Sequence, residues 1–398
     1  MSAPLPLEGV RVLAVEQYGA GPFGTMFLAD QGAEVIKIEN PNTGGDFARD
    51  VGPYFFGPDD SEFFHAYNRN KKSMSLDLSS AEGLAVFHDL VNSADAVASN
   101  LRGDVPAKLG LTYEVLGAVN PQIVCGHLSA YGRSGPRATW PGFDYLMQAE
   151  AGYFALTGEP GSPPTRMGLS VVDQMTGLAL AYAVLAGVTG ARTTGVGRDM
   201  DVSLFDIALS NLAYPAMWYL NEGHEQTRTE RSAHPVLTPC QLYATADGWI
   251  YLMCNKEKFW PVLCEVLERD DWAADKRFLT FKDRLEHRAL IQEMLDQHLS
   301  NRTTSEWMDL FAGVVPASAL NSLSEALENP FVRNGDRIQD VELPGHGNYQ
   351  MLNSPIICGG VDTPAKPAPA LGADTDELLT GLGYGPDKIN NLRTNKTI

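Results

Sequence analysis

Two groups of residues in this chain have the types and spacing to do chemistry. The first, Gly19-Ala-Gly-Pro-Phe-Gly24, is a G-x-G-x-x-G set between the β-rich run Val10–Val15 and a helix through Met26–Asp30. Glu39 follows about 20 residues on, which completes the layout of a dinucleotide fingerprint: backbone N–H groups for a pyrophosphate and an acid for a ribose. Pro22 weakens that reading because it has no N–H, and a tight strand-to-helix turn with Pro22 in the first helical turn fits equally well. The second is Asp173, just before the apolar run 177–191. On the residues alone it reads first as a cap on that helix, where the N-terminal N–H groups favour a negative charge, with carboxylate chemistry as the other possibility. A basic concentration, Arg69-Asn-Lys-Lys72, precedes a strand and could meet an anion.

These residues must be positioned by a scaffold. Strand-like runs at 10–15, 35–38, 73–78, 96–99 and 123–125 alternate with helical stretches such as Ala81–Val91. That alternation indicates βαβ units and a parallel sheet covered on both faces, an α/β fold. Residues 143–219 turn helical: Leu178–Ala186 is apolar nearly all round and predicts a buried helix, 199–202 a further strand, and 204–220 one long helix. The polar stretch 221–230 reads as a linker. Beyond it, a hairpin (242–245 and 249–253 around Asp247-Gly248) and helices near 260–267, 285–299 and 305–311 predict a smaller α+β domain over 231–324. A Thr303/Thr304 cap with Glu306 marks the start of the last of these. Residues 1–220 and 325–398 form the large domain, whose tail holds two short strands, a proline-rich loop (Pro364, Pro367, Pro369) and a last helix near 376–381.

Composition narrows the function classes. The 398 residues carry 30 Lys+Arg against 49 Asp+Glu, a net charge of −19, with 44% hydrophobic residues. That is a globular chain whose charge argues against a nucleic-acid partner while leaving room for a small anion in a local basic pocket. The longest apolar run, about 15 residues, falls short of the roughly 20 needed to span a membrane, and the N-terminus lacks a signal-peptide pattern. Five scattered cysteines without C-x-x-C, and dispersed histidines, suggest buried thiols in a reducing, cytoplasmic setting and no metal site.

Taken together, a series of short motifs resembles the family III CoA-transferases, the group of formyl-CoA transferase, carnitine CoA-transferase and succinyl-CoA-dependent dicarboxylate transferases. They are Leu7-Glu-Gly-Val-Arg-Val-Leu13, Ala20-Gly-Pro22, Gly32–Glu39, Asn68-Arg-Asn-Lys-Lys-Ser73 with Leu76-Asp77, Gly142-Phe-Asp144, Asp173 with Thr176-Gly177, His234-Pro235 and Pro369–Gly372 through Tyr384. The resemblance spans nearly the whole chain. It implies a Rossmann-like large domain with a smaller α+β domain, and a homodimer of two interlocked rings. It implies acyl-CoA and a small carboxylic acid as substrates, no permanently bound cofactor, and Asp173 as the nucleophile that forms an aspartyl anhydride and then an aspartyl-CoA thioester.

By matching positions, Tyr18, Gly19 and Ala20 would meet CoA through backbone groups, and Asn40, Leu76, Asn100, Leu101, Lys108 and Leu109 would line its adenine and phosphate pocket. Arg49, Lys71, Lys72 and Arg102 are further candidates on charge. The substrate pocket would take in Phe63, Tyr131, Gly132, Phe143 and His234. Three features depart from formyl-CoA transferase: no glycine-rich loop in 231–239, Tyr131-Gly132 where that enzyme has a glutamate after a tyrosine, and Phe63 for an active-site tyrosine. The chain looks closer to the dicarboxylate and general acyl members, a resemblance that implies succinyl-CoA or acetyl-CoA as donor and a small dicarboxylate as acceptor. The related α-methylacyl-CoA racemases carry a histidine matched here by Phe143, which cannot move a proton.

Overall fold

The computed structural model describes residues 4–359 and 365–398; Pro364 of the expected proline-rich loop and the first three residues lie outside that range. Six strands form one parallel sheet: β1 (Arg11–Val15), β2 (Glu34–Glu39), β3 (Lys72–Ser75), β4 (Ala96–Ser99), β5 (Val124–Ser129) and β6 (Arg198–Ser203). Val12, Leu13, Ala14, Ile36, Val97 and Ala98 have no accessible surface. Such continuous apolar runs are what a sheet covered on both faces requires. The order is β3-β2-β1-β4-β5-β6, so the winding direction reverses between β1 and β4. This is the doubly wound order, in which ligands bind outside the carboxyl ends of the strands at the reversal.

Seven helices concern the site: α1 (Ala20–Asp30), α2 (Glu62–Asn68), α3 (Ala81–Val91), α4 (Asp144–Glu150), α5 (Val171–Thr194), α6 (Leu204–Ser210) and α7 (Ala213–Glu222). One core packs α3 and the tail residues Leu378, Leu379 and Leu392 on β1–β5. The tail ends in two helices, Thr375–Gly381 and an unexpected Pro386–Thr394.

The chain divides into two compact units, one of Met1–Ala151, Gly168–Ala213 and Arg333–Ile398, the other of Gly152–Met167 and Tyr214–Val332. Residues 152–167 and 221–230 therefore group with the second unit. That unit has an antiparallel sheet with Trp249–Met253 between Cys240–Ala244 and Ala317–Ala319. Its core gathers Tyr243, Trp260, Phe278, Ile291, Leu295 and Trp307. The Thr303–Glu306 capping box forms as its sequence predicts.

Three expectations need correction. The single helix over 204–220 is two, because Ala213 turns left-handed (φ 46°) and Pro215 cannot accept a regular helical turn before it. Helix α5 is buried on one face only: Leu178 is 43% and Tyr182 76% exposed, while Leu180, Val184 and Val188 pack inward. The apolar run also sits in a helix of 24 residues, long and apolar enough to cross a membrane by length and composition; half of its apolar window is buried inside the chain.

Candidate active site

The turn after β1 is held from two sides, by Asp46 and Asn100. Tyr18 is left-handed (φ 68°) and its N–H donates to Asp46 Oδ1 at 2.9 Å. Asn100, just past β4, accepts the Gln17 N–H at 2.8 Å and returns its own amide N–H to Gln17 O at 2.6 Å. These two bonds tie together the loops on either side of the sheet's reversal.

Packing accounts for Gly21 and Gly24 of the G-x-G-x-x-G set, and Gly19 lies close against Asp173. A Cβ on Gly24 would lie 2.1 Å from Gly177 O, one on Gly21 2.9 Å from the Asn100 side chain, and one on Gly19 3.3 Å from Asp173 Oδ2. Glu39 is committed elsewhere: its carboxylate takes Arg49 Nε at 2.9 Å, Arg49 Nη2 at 2.7 Å and Ser73 Oγ at 2.6 Å. It has nothing left for a ribose, which overturns the dinucleotide reading.

Beneath the turn lies a buried ionic floor. Lys71 Nζ donates to Glu16 Oε1 (2.8 Å), Pro22 O (3.0 Å) and Asn68 Oδ1 (2.9 Å). Lys37 Nζ lies 2.7 Å from Asp46 Oδ2 and donates to Glu16 O at 3.0 Å. Burial lowers the Lys71 ammonium to about 8 despite the Glu16 carboxylate. Arg49 stacks its guanidinium 3.8 Å from the Phe64 ring centre. Arg49 and Lys71 are therefore withdrawn as phosphate ligands: each is buried, and the donors that matter are spent inside the protein.

Asp173 stands in the first turn of α5, not before it, and Ser170 holds the N-cap position. Its N–H donates to Asp144 Oδ2 at 3.0 Å, and Gln148 Nε2 donates to Asp144 Oδ1 at 2.6 Å. Among the described residues nothing hydrogen-bonds the Asp173 carboxylate itself. Burial, with the Asp144 carboxylate behind it, pushes Asp173 up to about 7. Desolvation and a like charge thus outweigh the helix N-terminus, which on its own would favour the ionised form. Such a carboxylate is more basic than usual, and acylation would remove a charge that its surroundings disfavour.

Asp173 lies between two cavities. The larger, about 650 Å³, is walled by Tyr18, Gly19, Ala20, Asn100, Leu101, Arg102, Trp140 and Phe143 among others. The smaller, about 80 Å³, lies toward Phe63 and Tyr67 of α2. A third recess of about 180 Å³ shares Gln17 and Leu101 with the first and adds Asn40, Leu76 and Leu109.

The family model described as CoA-transferase family III matches residues 7–375. A succinate–glutarate CoA-transferase of Agrobacterium fabrum is 34% identical over 95% of this chain and 96% of its own. The chain belongs to family III of the CoA-transferases. A succinyl-CoA:mesaconate CoA-transferase of Haloarcula hispanica is 31% identical over 97% of this chain and 99% of its own. A solved CAIB/BAIF family protein from Brucella suis superposes with a TM-score of 0.80 at 30% identity, covering 96% of this chain and all of the other. The protein is thus an enzyme that transfers CoA between an acyl-CoA and a carboxylate.

The other sequence-predicted residues of this transferase fall in different places. Arg102 and Lys108 are exposed and share the half-buried Asp104, 2.5 Å from each. Lys72 is held between Glu34 and Glu377, 3.0 Å from each. Tyr131 lines a separate recess and donates to Glu150 at 2.7 Å; the Gly132 N–H donates to Ser129 Oγ at 3.0 Å. His234 belongs to the second unit, where its Nδ1 accepts the Val236 N–H at 3.2 Å and its carbonyl accepts from Arg288 at 2.6 Å. Burial, aided by Arg288, lowers its pKa. The carboxylate beside Asp173 is Asp144, to which the sequence reading gave no role, although Gly142-Phe-Asp144 carries the signal. Tyr67, Tyr145, Ser170 and Trp140 were also missed.

The raised Asp173 carboxylate sets a pH dependence. A carboxylate attacks only when deprotonated, so with Asp173 as the attacking group kcat/KM for CoA transfer should rise with pH through about 7. Asp144→Asn keeps an oxygen for the Asp173 N–H but removes the like charge, and should move that limb to lower pH. An unmoved limb would separate Asp144 from the titration.

Proposed function

We propose that Asp173 is the covalent shuttle of this transferase. Its carboxylate oxygen attacks the donor thioester carbonyl; the C–S bond breaks, CoA leaves as thiolate, and an aspartyl-acyl anhydride forms. The thiolate attacks the aspartyl carbonyl of that anhydride, releasing the donor acid as its carboxylate and leaving an aspartyl-CoA thioester. The acceptor carboxylate attacks this thioester, expelling the thiolate and forming a second anhydride. Attack of the thiolate on the acceptor's acyl carbon yields the new acyl-CoA and frees Asp173. One thioester is consumed and one made, so no external energy source is needed.

The observation that carries this reading is an Asp173 carboxylate without a hydrogen-bond partner among the described residues, basic for its type and reachable from two cavities. The larger cavity suits a pantetheine arm: Leu101, Leu128, Trp140 and Leu204 give it apolar walls, and Arg102 stands where phosphates would follow. The third recess, with Asn40, Leu76 and Leu109, suits the adenine end. Phe143, 63% exposed on the larger cavity, speaks against racemisation because it has no proton to move. A succinyl-CoA or acetyl-CoA donor with a small dicarboxylate acceptor fits the similar enzymes named for succinate, glutarate and mesaconate. The reading includes a homodimer, supported by α7, whose Tyr214, Met217, Tyr219 and Leu220 are all exposed. It also includes a cytoplasmic setting, supported by five unpaired cysteines.

Hydroxylamine tests the covalent step. Incubation with an acyl-CoA and hydroxylamine should leave a hydroxamate on the peptide that contains Asp173, read by mass spectrometry. An unmodified peptide under turnover conditions would end the proposal.

A further inference from the structure

The smaller cavity is the part of the site that the transfer steps do not yet use. It lies on the Phe63 side of the Asp173 carboxylate and is bounded by Tyr18, Phe63, Tyr67, Tyr145, Ser170 and Gln174. Its lining includes polar groups but no cation. The rings form a continuous wall, Tyr18 to Phe63 at 4.9 Å and Phe63 to Tyr67 at 5.2 Å between centres. Neither the Tyr18 nor the Tyr67 hydroxyl has a hydrogen-bond partner among the described residues. Burial and the facing Asp173 charge raise both phenols, so each keeps its proton and remains a donor. A volume of about 80 Å³ holds a few waters, or a short chain of about four carbons.

We propose that this cavity selects the acid: it takes a short carboxylic acid whose far end carries a second acceptor oxygen, held by the O–H groups of Tyr67 and Tyr18. The near carboxylate then faces Asp173 and the methylenes lie along Phe63. A second carboxylate and a terminal hydroxyl share this chemistry, since either accepts from a phenol, the charged one more strongly. The inference rests on Asp173 as the nucleophile and adds the residues that read the acid.

The test compares three four-carbon acids with the whole enzyme: succinate, 4-hydroxybutyrate and butyrate, each with the same acetyl-CoA donor. Wild type should use succinate at least about 10-fold better than butyrate in kcat/KM, as expected for one or two hydrogen bonds to a buried site. If 4-hydroxybutyrate shares the preference, hydrogen bonding alone suffices; if it sides with butyrate, the second oxygen must be charged. Tyr67→Phe keeps the ring and its contact with Phe63 but removes the O–H. It should shrink the succinate-to-butyrate ratio about 10-fold with an unchanged melting temperature, and Tyr18→Phe should do the same. Equal use of succinate and butyrate by wild type, or a ratio untouched in both variants, overturns the pocket assignment. The hydroxamate on Asp173 is read in the same samples. If it forms while the ratio stays fixed, the pocket alone is wrong; if it never forms, the shuttle is wrong and the pocket falls with it.

Discussion

Asp173→Asn should cut CoA transfer by about 10⁴-fold or more, because the amide cannot form the anhydride and no neighbouring group is placed to substitute for it. CoA binding should stay near wild type, since the side chain contributes chemistry more than affinity. The same variant should be more stable than wild type at alkaline pH. Burial and Asp144 raise the folded-state pKa to about 7, above the unfolded value of about 4. The folded protein therefore holds this proton more tightly, and wild type loses stability as pH rises through that window. The full shift would be worth about 4 kcal/mol; partial exposure of the group discounts it to about 1–2 kcal/mol. Melting curves of the two proteins should coincide near pH 4 and diverge by pH 8, with the variant higher. Coincident curves at both pH values would show that the carboxylate is not held against its surroundings.

Gly24→Ala should destabilise the protein by about 3 kcal/mol, for a change of one methyl group. The new Cβ would fall 2.1 Å from Gly177 O, and the neighbour is backbone of α5, which cannot swing aside. The reverse approach is as tight, with a Gly177 Cβ 2.3 Å from Ala20 O. Helices α1 and α5 would have to separate, and they carry the Tyr18–Gly19 turn and Asp173, so activity should fall along with stability. Gly190→Ala is the control. It sits in α5, the helix of Gly177, with nothing within 4 Å of its Cβ, and should be neutral or slightly stabilising. Denaturant midpoints of the two variants give the comparison, and similar midpoints would refute the close-packing account.

Much of this scaffold is legible in the sequence. The runs 10–15, 35–38 and 96–99 are apolar because both faces of their strands are covered, and each forms a strand within a residue or so of where its pattern places it. Resemblance singles out Asp173; periodicity alone makes it a helix cap. What the sequence hides is pairing over long distances. Arg49 and Lys71 look like ligand cations because their partners, Glu39 and Glu16, lie 10 and 55 residues away along the chain. Asp144 becomes meaningful only when α4 brings it beside the Asp173 N–H, 29 residues on. The glycine motif shows the same limit: its spacing matches a cofactor fingerprint, while its cause is the contact of α1 with Asn100 and Gly177.

The ionic floor under the glycine turn joins three acids, Glu16, Glu39 and Asp46, to three bases, Lys37, Arg49 and Lys71. Removing any one strands an opposite charge in the interior at about 3–5 kcal/mol, whereas exchanging an acid and its base together for apolar groups of like size can be close to neutral. Drift at these six positions is therefore expected to proceed by concerted double exchange, and a designer recasting this foundation would have to move in pairs.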